Sequence, residues 1–310
     1  MPNHIVIGAN AHVELAALLQ AARPDLHIRG NRYTDITADD LAWGDSYIGF
    51  RRPPLDTMGN ISWVYCTGAG VDSWLYPDEL PRNILLTRTA ESFGPPIAEW
   101  ALARALAFTQ QLPDLLDAQR QRRWAPRDTS MLRGARVLVV GTGDIGTHVA
   151  RLFTALGANV TGVSRTSRGE SASFARVASV ASLPTLVEDA EFIILTIPLT
   201  ADSRGLFSRE LLSRCKGALL LNAGRGAVVD ESALPVALDQ GWLRGAALDV
   251  FEIEPLPTDS PLWTDARVII SPHISGLTTS DGAITGFLAC LDAIERGETP
   301  YGVVDRDRGY

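Results

Sequence analysis

Two open parallel α/β sheets, each doubly wound with helices, are the fold class this sequence predicts, on three observations. Short apolar runs alternate with helical stretches along most of the chain. One long helical pattern near the middle separates two such sets of runs. The 310 residues, 46% of them hydrophobic, are enough for about two domains that each bury a core.

The first set comprises His4 to Gly8, Ser46 to Phe50, Trp63 to Thr67 and Ile84 to Thr87, a rhythm that predicts parallel strands with crossover connections. The chain turns near Phe93-Gly94-Pro95-Pro96, and a helical pattern then runs from Ile97 to about Arg123. Pro113 lies inside it, so a kink or break is expected where proline withholds its N–H. The second set comprises Val137 to Val140, Asn159 to Val163, Phe192 to Ile197, Ala218 to Asn222, Ala246 to Phe251 and Val268 to Ser271, as a doubly wound sheet requires. One more helical stretch follows, about Asp281 to Glu295.

A formal net charge of -8 opposes non-specific nucleic-acid binding, which needs clustered Lys and Arg. Cys66, Cys215 and Cys290 are widely spaced and offer no metal-ligand pattern, so they read as buried thiols of a reducing compartment. The start lacks the basic and apolar regions of a leader, and no apolar stretch approaches the roughly 20 residues of a membrane span. The expectation is a cytoplasmic protein with no metal, no nucleic acid and no membrane partner.

Arg136 to Val140 leads directly into Gly141-Thr142-Gly143-Asp144-Ile145-Gly146, followed by a helical stretch. Gly141 allows the tight turn, Gly143 lets the backbone approach a pyrophosphate, and Gly146 lets helix and strand pack closely. Between a buried strand and a helix this motif predicts dinucleotide binding. The following strand ends at Ser164-Arg165-Thr166-Ser167-Arg168, roughly 20 residues after the first glycine, where NAD-specific proteins carry a carboxylate. The hydroxyls and the guanidinium groups of Arg165 and Arg168 suit a 2′-phosphate instead, which favours NADP and leaves NAD as the alternative.

Three later apolar runs open into Asn222-Ala223-Gly224-Arg225-Gly226, Glu252-Ile253-Glu254-Pro255 and Pro272-His273-Ile274-Ser275-Gly276. Ligands of doubly wound sheets bind just beyond the strands, so Arg225, Glu254 and His273 can converge on one cleft. A planar guanidinium can hold a carboxylate through two hydrogen bonds and polarise an adjacent carbonyl. A protonated imidazole can supply the proton that carbonyl reduction needs, and a neighbouring carboxylate orients the ring and favours its acid form.

The segments TGAGVD at Thr67 to Asp72, GTGDIG at Gly141 to Gly146, NAGRGAVVDE at Asn222 to Glu231, ALDVFEIEPLP at Ala247 to Pro257 and SPHISG at Ser271 to Gly276 occur in that order. Together they resemble the D-isomer-specific 2-hydroxyacid dehydrogenases. The compact length and the ending VVDRDRGY resemble that family's glyoxylate and hydroxypyruvate reductase branch. The resemblance implies an NAD(P)-dependent enzyme that exchanges a hydride between nicotinamide and a small 2-oxo or 2-hydroxy acid. Arg225 would bind and polarise substrate, His273 would be the acid/base, and Glu254 its partner. Ala69 and Gly70 would offer N–H groups to the substrate carboxylate, and Asp249 would hold the nicotinamide carboxamide. Asp144, Ile145, Ile197, Pro198, Ala223, Gly224 and Gly276 would line the cofactor groove beside Arg225 and His273.

The resemblance also implies a Rossmann cofactor domain over 99–275 and a discontinuous, flavodoxin-like substrate domain made of 1–98 and 276–310. A homodimer built around the helix after Ile97 is expected; the tryptophans read as core or interface residues, with Trp43 or Trp100 the alternative candidates for the border of the substrate pocket. Two other functions stay open on the same scaffold: a nucleotide-sensing binding protein, and an enzyme acting on formate or phosphite.

Overall fold

The computed structural model describes residues 2–76, 78–89, 93–165, 169–171, 173–276 and 278–309, with only the backbone of 169–171. The chain forms two compact units, Met1–Ser92 with Leu277–Tyr310, and Phe93–Gly276. The expected boundary near residue 98 moves toward the N-terminus because the helix it would cut begins at Gly94 and packs along a helix of the second unit.

In the first unit β1 (His4–Gly8) leads through α1 (His12–Ala22) to β2 (His27–Asn31), and α2 (Ala38–Trp43) leads to β3 (Ser46–Ile48). Strand β4 (Trp63–Cys66), helix α3 (Asp72–Leu75) and β5 (Leu85–Arg88) complete its first segment. The five strands are parallel in the order β2-β1-β3-β4-β5, the flavodoxin-like arrangement. Alternate side chains enter different cores, as strand geometry demands: Val6 joins Leu41, Tyr47, Val64 and Trp74, whereas Ile5 and Ile7 join Leu15, Leu19 and Trp63. Strand β2 has no counterpart among the sequence runs because it is an edge strand whose side chains are exposed or half-buried.

The second unit opens with α4 (Gly94–Thr109) and α5 (Leu112–Arg120). The expected break falls between them: Gln111 takes a left-handed φ of 53°, and Pro113 sits in the first turn of α5, where a missing N–H costs no helical bond. Then follow β6 (Arg136–Val140), α6 (Asp144–Ala155), β7 (Asn159–Ser164), β8 (Gly169–Ser171), β9 (Phe174–Ser179), α7 (Leu183–Asp189) and β10 (Phe192–Leu195). The unit continues with α8 (Arg209–Leu212), β11 (Ala218–Asn222), α9 (Leu234–Asp239), β12 (Leu243–Leu248) and β13 (Val268–Ile270). Its eight strands run in the order β13-β12-β11-β10-β6-β7-β9-β8, all parallel except the β8–β9 pairing. The order reverses between β6 and β10, so the crevice at their carboxyl ends is the switch point where doubly wound sheets bind ligands.

The chain returns to the first unit in α10 (Ser280–Glu295), where Phe287 stacks on Trp63 with ring centroids 4.7 Å apart. Among the described residues no helix is long and apolar enough to cross a membrane.

Candidate active site

The glycine turn occupies the switch point. Gly141 has φ of 109°, a conformation open to glycine and costly for other residues, and a Cβ there would lie 2.7 Å from Thr196 Oγ1 beyond β10. A Cβ on Gly146 would come within 1.9 Å of the Gly141 carbonyl oxygen, so the first turn of α6 lies against the loop only because this side chain is absent. At Gly143, by contrast, a Cβ would meet nothing within 4 Å, and this residue caps the N-terminus of α6. Open space at the amino end of a twelve-residue helix fits a pyrophosphate, which helix N–H groups and the helix dipole favour. Asp144 is exposed and Ile145 half-buried at the same helix start.

Ser164 ends β7 half-buried, and Arg165 follows it exposed, its carbonyl accepting a hydrogen bond from Ser179 Oγ at 3.3 Å. Thr166 and Arg168, also expected at the cofactor, lie outside the described residues. Ile197 and Pro198 follow β10, and a Cβ on Gly224 would lie 2.7 Å from the Ile197 carbonyl, which brings the turns after β10 and β11 together.

Arg225 is placed by a side chain that sequence reasoning left without a role. Buried Asn222 donates through Nδ2 to the Arg225 carbonyl at 3.1 Å and accepts from Gly224 N at 3.1 Å, closing the turn after β11 over Ala223 and Gly224. Arg225 is half-buried and donates from Nη1 to the Gly224 carbonyl at 2.8 Å. Gly226 is obligatory, since its Cβ would fall 1.9 Å from the Phe251 carbonyl carbon in the loop that carries Glu254.

The histidine and glutamate meet directly. His273 Nδ1 lies 2.8 Å from Glu254 Oε2, and Phe251 N donates to Glu254 Oε1 at 3.1 Å. Burial raises the Glu254 carboxyl, but the His273 hydrogen bond and charge, the Phe251 N–H and the Arg225 charge outweigh it and hold the group below its ordinary value. A lowered carboxyl stabilises the fold above the unfolded value, and that contribution is lost as pH falls through the lowered one. Glu254 is therefore anionic at neutral pH, and an anion on Nδ1 fixes the ring tautomer and orientation.

His273 adopts a left-handed φ of 54°, uncommon for a residue with a side chain. Asp249 surrounds it with bonds. The His273 N–H donates to the Asp249 carbonyl at 2.8 Å, Ile274 N to Asp249 Oδ1 at 3.0 Å, and Ser275 N to Asp249 Oδ2 at 2.8 Å. Expected to meet the nicotinamide carboxamide, the fully buried Asp249 carboxylate thus carries the loop of the acid/base residue. Gly276 closes this loop, and a Cβ on it would lie 2.9 Å from the Ile97 side chain of α4.

Of the remaining expected residues, Ala69, Gly70 and Trp43 lie in the first unit and Trp100 in the second. Ala69 and Gly70 follow β4 in the first unit, where the Gly70 carbonyl accepts from Cys66 Sγ at 3.5 Å. Trp43 stacks under the Arg29 guanidinium at 4.3 Å, whereas Trp100 is buried in the second unit and donates to Ser271 Oγ.

Residues 102–275, over half of the chain, match the family model described as D-isomer specific 2-hydroxyacid dehydrogenase, NAD binding domain. A glyoxylate/hydroxypyruvate reductase A of Serratia proteamaculans is 34% identical across 97% of both chains. The crystal structure of a D-isomer specific 2-hydroxyacid dehydrogenase from Xanthobacter autotrophicus, in complex with NADPH, superposes with a TM-score of 0.87 at 31% identity over the whole of both chains. An NADPH-dependent glyoxylate/hydroxypyruvate reductase from Sinorhizobium meliloti, in complex with NADP and sulfate, also gives 0.87, at 25% identity over 99% of this chain and 100% of that one.

Proposed function

Because the chain belongs to the D-isomer-specific 2-hydroxyacid dehydrogenase family, an oxidoreductase family with a nicotinamide-binding domain, we propose that it reduces glyoxylate or hydroxypyruvate with NADPH in preference to NADH. The observation that carries this reading is the His273–Glu254 pair at 2.8 Å, with Arg225 close enough for its charge to act on the carboxylate.

The Gly141–Gly146 turn, the end of β7 and the turns after β10 and β11 would hold the dinucleotide, whose nicotinamide would supply the hydride. Arg225 grips the substrate carboxylate and draws electron density from the adjacent carbonyl. His273, with Nδ1 committed to Glu254, delivers its Nε2 proton to the carbonyl oxygen as negative charge develops there. Glu254 holds the ring and fixes its tautomer through Nδ1. A spectrophotometric assay with NADPH and each oxo acid tests the reading. Steady consumption supports it; tight cofactor binding without consumption indicates a sensor, and reduction of NADP by formate or phosphite indicates the other chemistry.

Glu254→Gln removes the anion that holds the ring through Nδ1. Glyoxylate turnover is therefore expected to fall about 10-fold in this variant with the KM for NADPH unchanged, and wild-type turnover contradicts the pairing.

The preference for NADPH rests on Ser164, Arg165 and Arg168, which present hydroxyl and guanidinium groups where a carboxylate would repel a 2′-phosphate. Arg165→Ala should raise the KM for NADPH about tenfold and leave that for NADH nearly unchanged, the scale of one charge-assisted contact. Equal changes for the two cofactors count against this loop as the discriminator.

A homodimer is supported by the apolar residues exposed on and after α4 and α5. Leu106, Leu112, Leu115 and Leu116 are each 38–47% exposed, Met131 is 74% exposed and Trp124 97%. A two-fold contact covers such a surface with a copy of itself. Light scattering should report about twice the chain mass, and an active monomer at micromolar concentration contradicts it.

A further inference from the structure

We propose that Trp100 is a positioning residue for His273, acting through the Ser271 hydroxyl and the Asp249 carboxylate; the assignment rests on the reductase reading above. Trp100 lies on α4, and its indole Nε1–H donates to Ser271 Oγ at 2.9 Å, while that oxygen in turn donates to Asp249 Oδ1 at 2.5 Å. All three residues are buried, Asp249 completely, so water does not replace a lost partner.

The chemistry gives the relay a direction. An indole N–H only donates, so Ser271 Oγ must receive it, and the hydroxyl hydrogen is left to point at Asp249. With that donor in place, Asp249 accepts from Ser271 and Ile274 on Oδ1 and from Ser275 on Oδ2, while its carbonyl accepts the His273 N–H. Residues on both sides of His273 are thereby tied to one carboxylate, and these ties hold the left-handed backbone that presents the ring to Glu254. The Arg104 guanidinium, one helical turn beyond Trp100, lies over its ring at 4.9 Å and steadies the indole. Simple core filling by Trp100 would require its ring; positioning requires its N–H.

Four variants separate the two: Trp100→Phe, which keeps an aromatic ring and loses the donor, Ser271→Ala, the double variant, and Ser271→Thr, which keeps the hydroxyl. Glyoxylate turnover by Trp100→Phe should fall roughly 10-fold with the KM for NADPH unchanged, the scale expected when a reacting group is displaced by a fraction of an ångström. Ser271→Ala should fall at least as far, the double variant no further than Ser271→Ala, and Ser271→Thr should stay near wild type. In 15N spectra of histidine-labelled protein, with His273 assigned through His273→Ala, the Nδ1–H tautomer should dominate in wild type and Ser271→Thr and give way to mixed tautomers in Trp100→Phe and Ser271→Ala. Wild-type turnover and tautomer in Trp100→Phe, or additive losses in the double variant, would overturn the proposal. If Trp100→Phe does not fold, the Ser271→Ala and Ser271→Thr pair decides, with equal behaviour of the two counting against it. If wild type reduces no 2-oxo acid, the reductase reading fails, and the tautomer spectra still decide whether Trp100 sets the ring.

Discussion

Glyoxylate reduction by His273→Ala is expected to lose about 100-fold or more in kcat while NADPH affinity stays nearly unchanged, because general acid catalysis contributes on that scale. The separation rests on the placement of the two groups: the glycine turn proposed for the cofactor is built by Gly141, Gly146 and Thr196 at the ends of β6 and β10, whereas the ring is carried by the loop after β13. Alanine keeps the backbone ties to Asp249, so the variant should remain folded with the Glu254 carboxylate deprived of its partner. Stopped-flow mixing of the NADPH complex with glyoxylate measures the chemical step itself. Near-normal rates in that experiment would remove His273 from the proton-transfer role.

Arg225→Ala should damage substrate saturation and turnover together, with kcat/KM for glyoxylate falling on the order of 1,000-fold, because one group is lost from both the carboxylate anchor and the polarised carbonyl. Lysine should recover only a small part of this, since a point charge does not reproduce the planar fork. The damage should be confined to chemistry: the Arg225 side chain is half-buried, and the turn that carries it is held by Asn222 through backbone groups that the substitution leaves in place. Steady-state kinetics decides the point. A rise in KM with unchanged kcat would leave Arg225 as an anchor that contributes nothing in the transition state.

The candidate site was legible in the sequence to the extent that its residues lie in turns that follow buried apolar runs. Val137 to Val140, Ala218 to Asn222 and Val268 to Ile270 are fully or partly buried strands of one sheet, so the residues just beyond them come to the same edge of that sheet. Strands without such a run escaped notice. β2 is a partly exposed edge strand, and β9, with only Phe174 and Val177 buried, gives no continuous apolar signal. Boundaries shifted for similar reasons: Val250 and Phe251 are buried and apolar, but they belong to the loop that turns Glu254 toward His273, and β12 instead begins at Leu243.

Side-chain hydrogen bonding was the least legible layer. Asn222, which shapes the Arg225 turn, reads in sequence only as the polar end of a strand. The contact between Trp100 and Ser271 joins residues 171 positions apart, and no local pattern announces it. Asp249 was visible as a motif residue, yet its engagement with Ser271, Ile274 and Ser275 depends on β12 and β13 lying side by side in parallel register.

The central claim, hydride delivery to a 2-oxo acid with proton transfer from His273, is tested most directly by product analysis of a single turnover. Enzyme and NADPH are mixed with an equivalent of hydroxypyruvate, oxidised cofactor and 2-hydroxy acid are quantified, and the configuration of the product is determined by chiral chromatography. NADP and the D-2-hydroxy acid formed in equal amounts by wild type, and neither formed on the same timescale by His273→Ala, is the predicted result; NADPH left reduced by wild type, or the L-isomer as product, contradicts it.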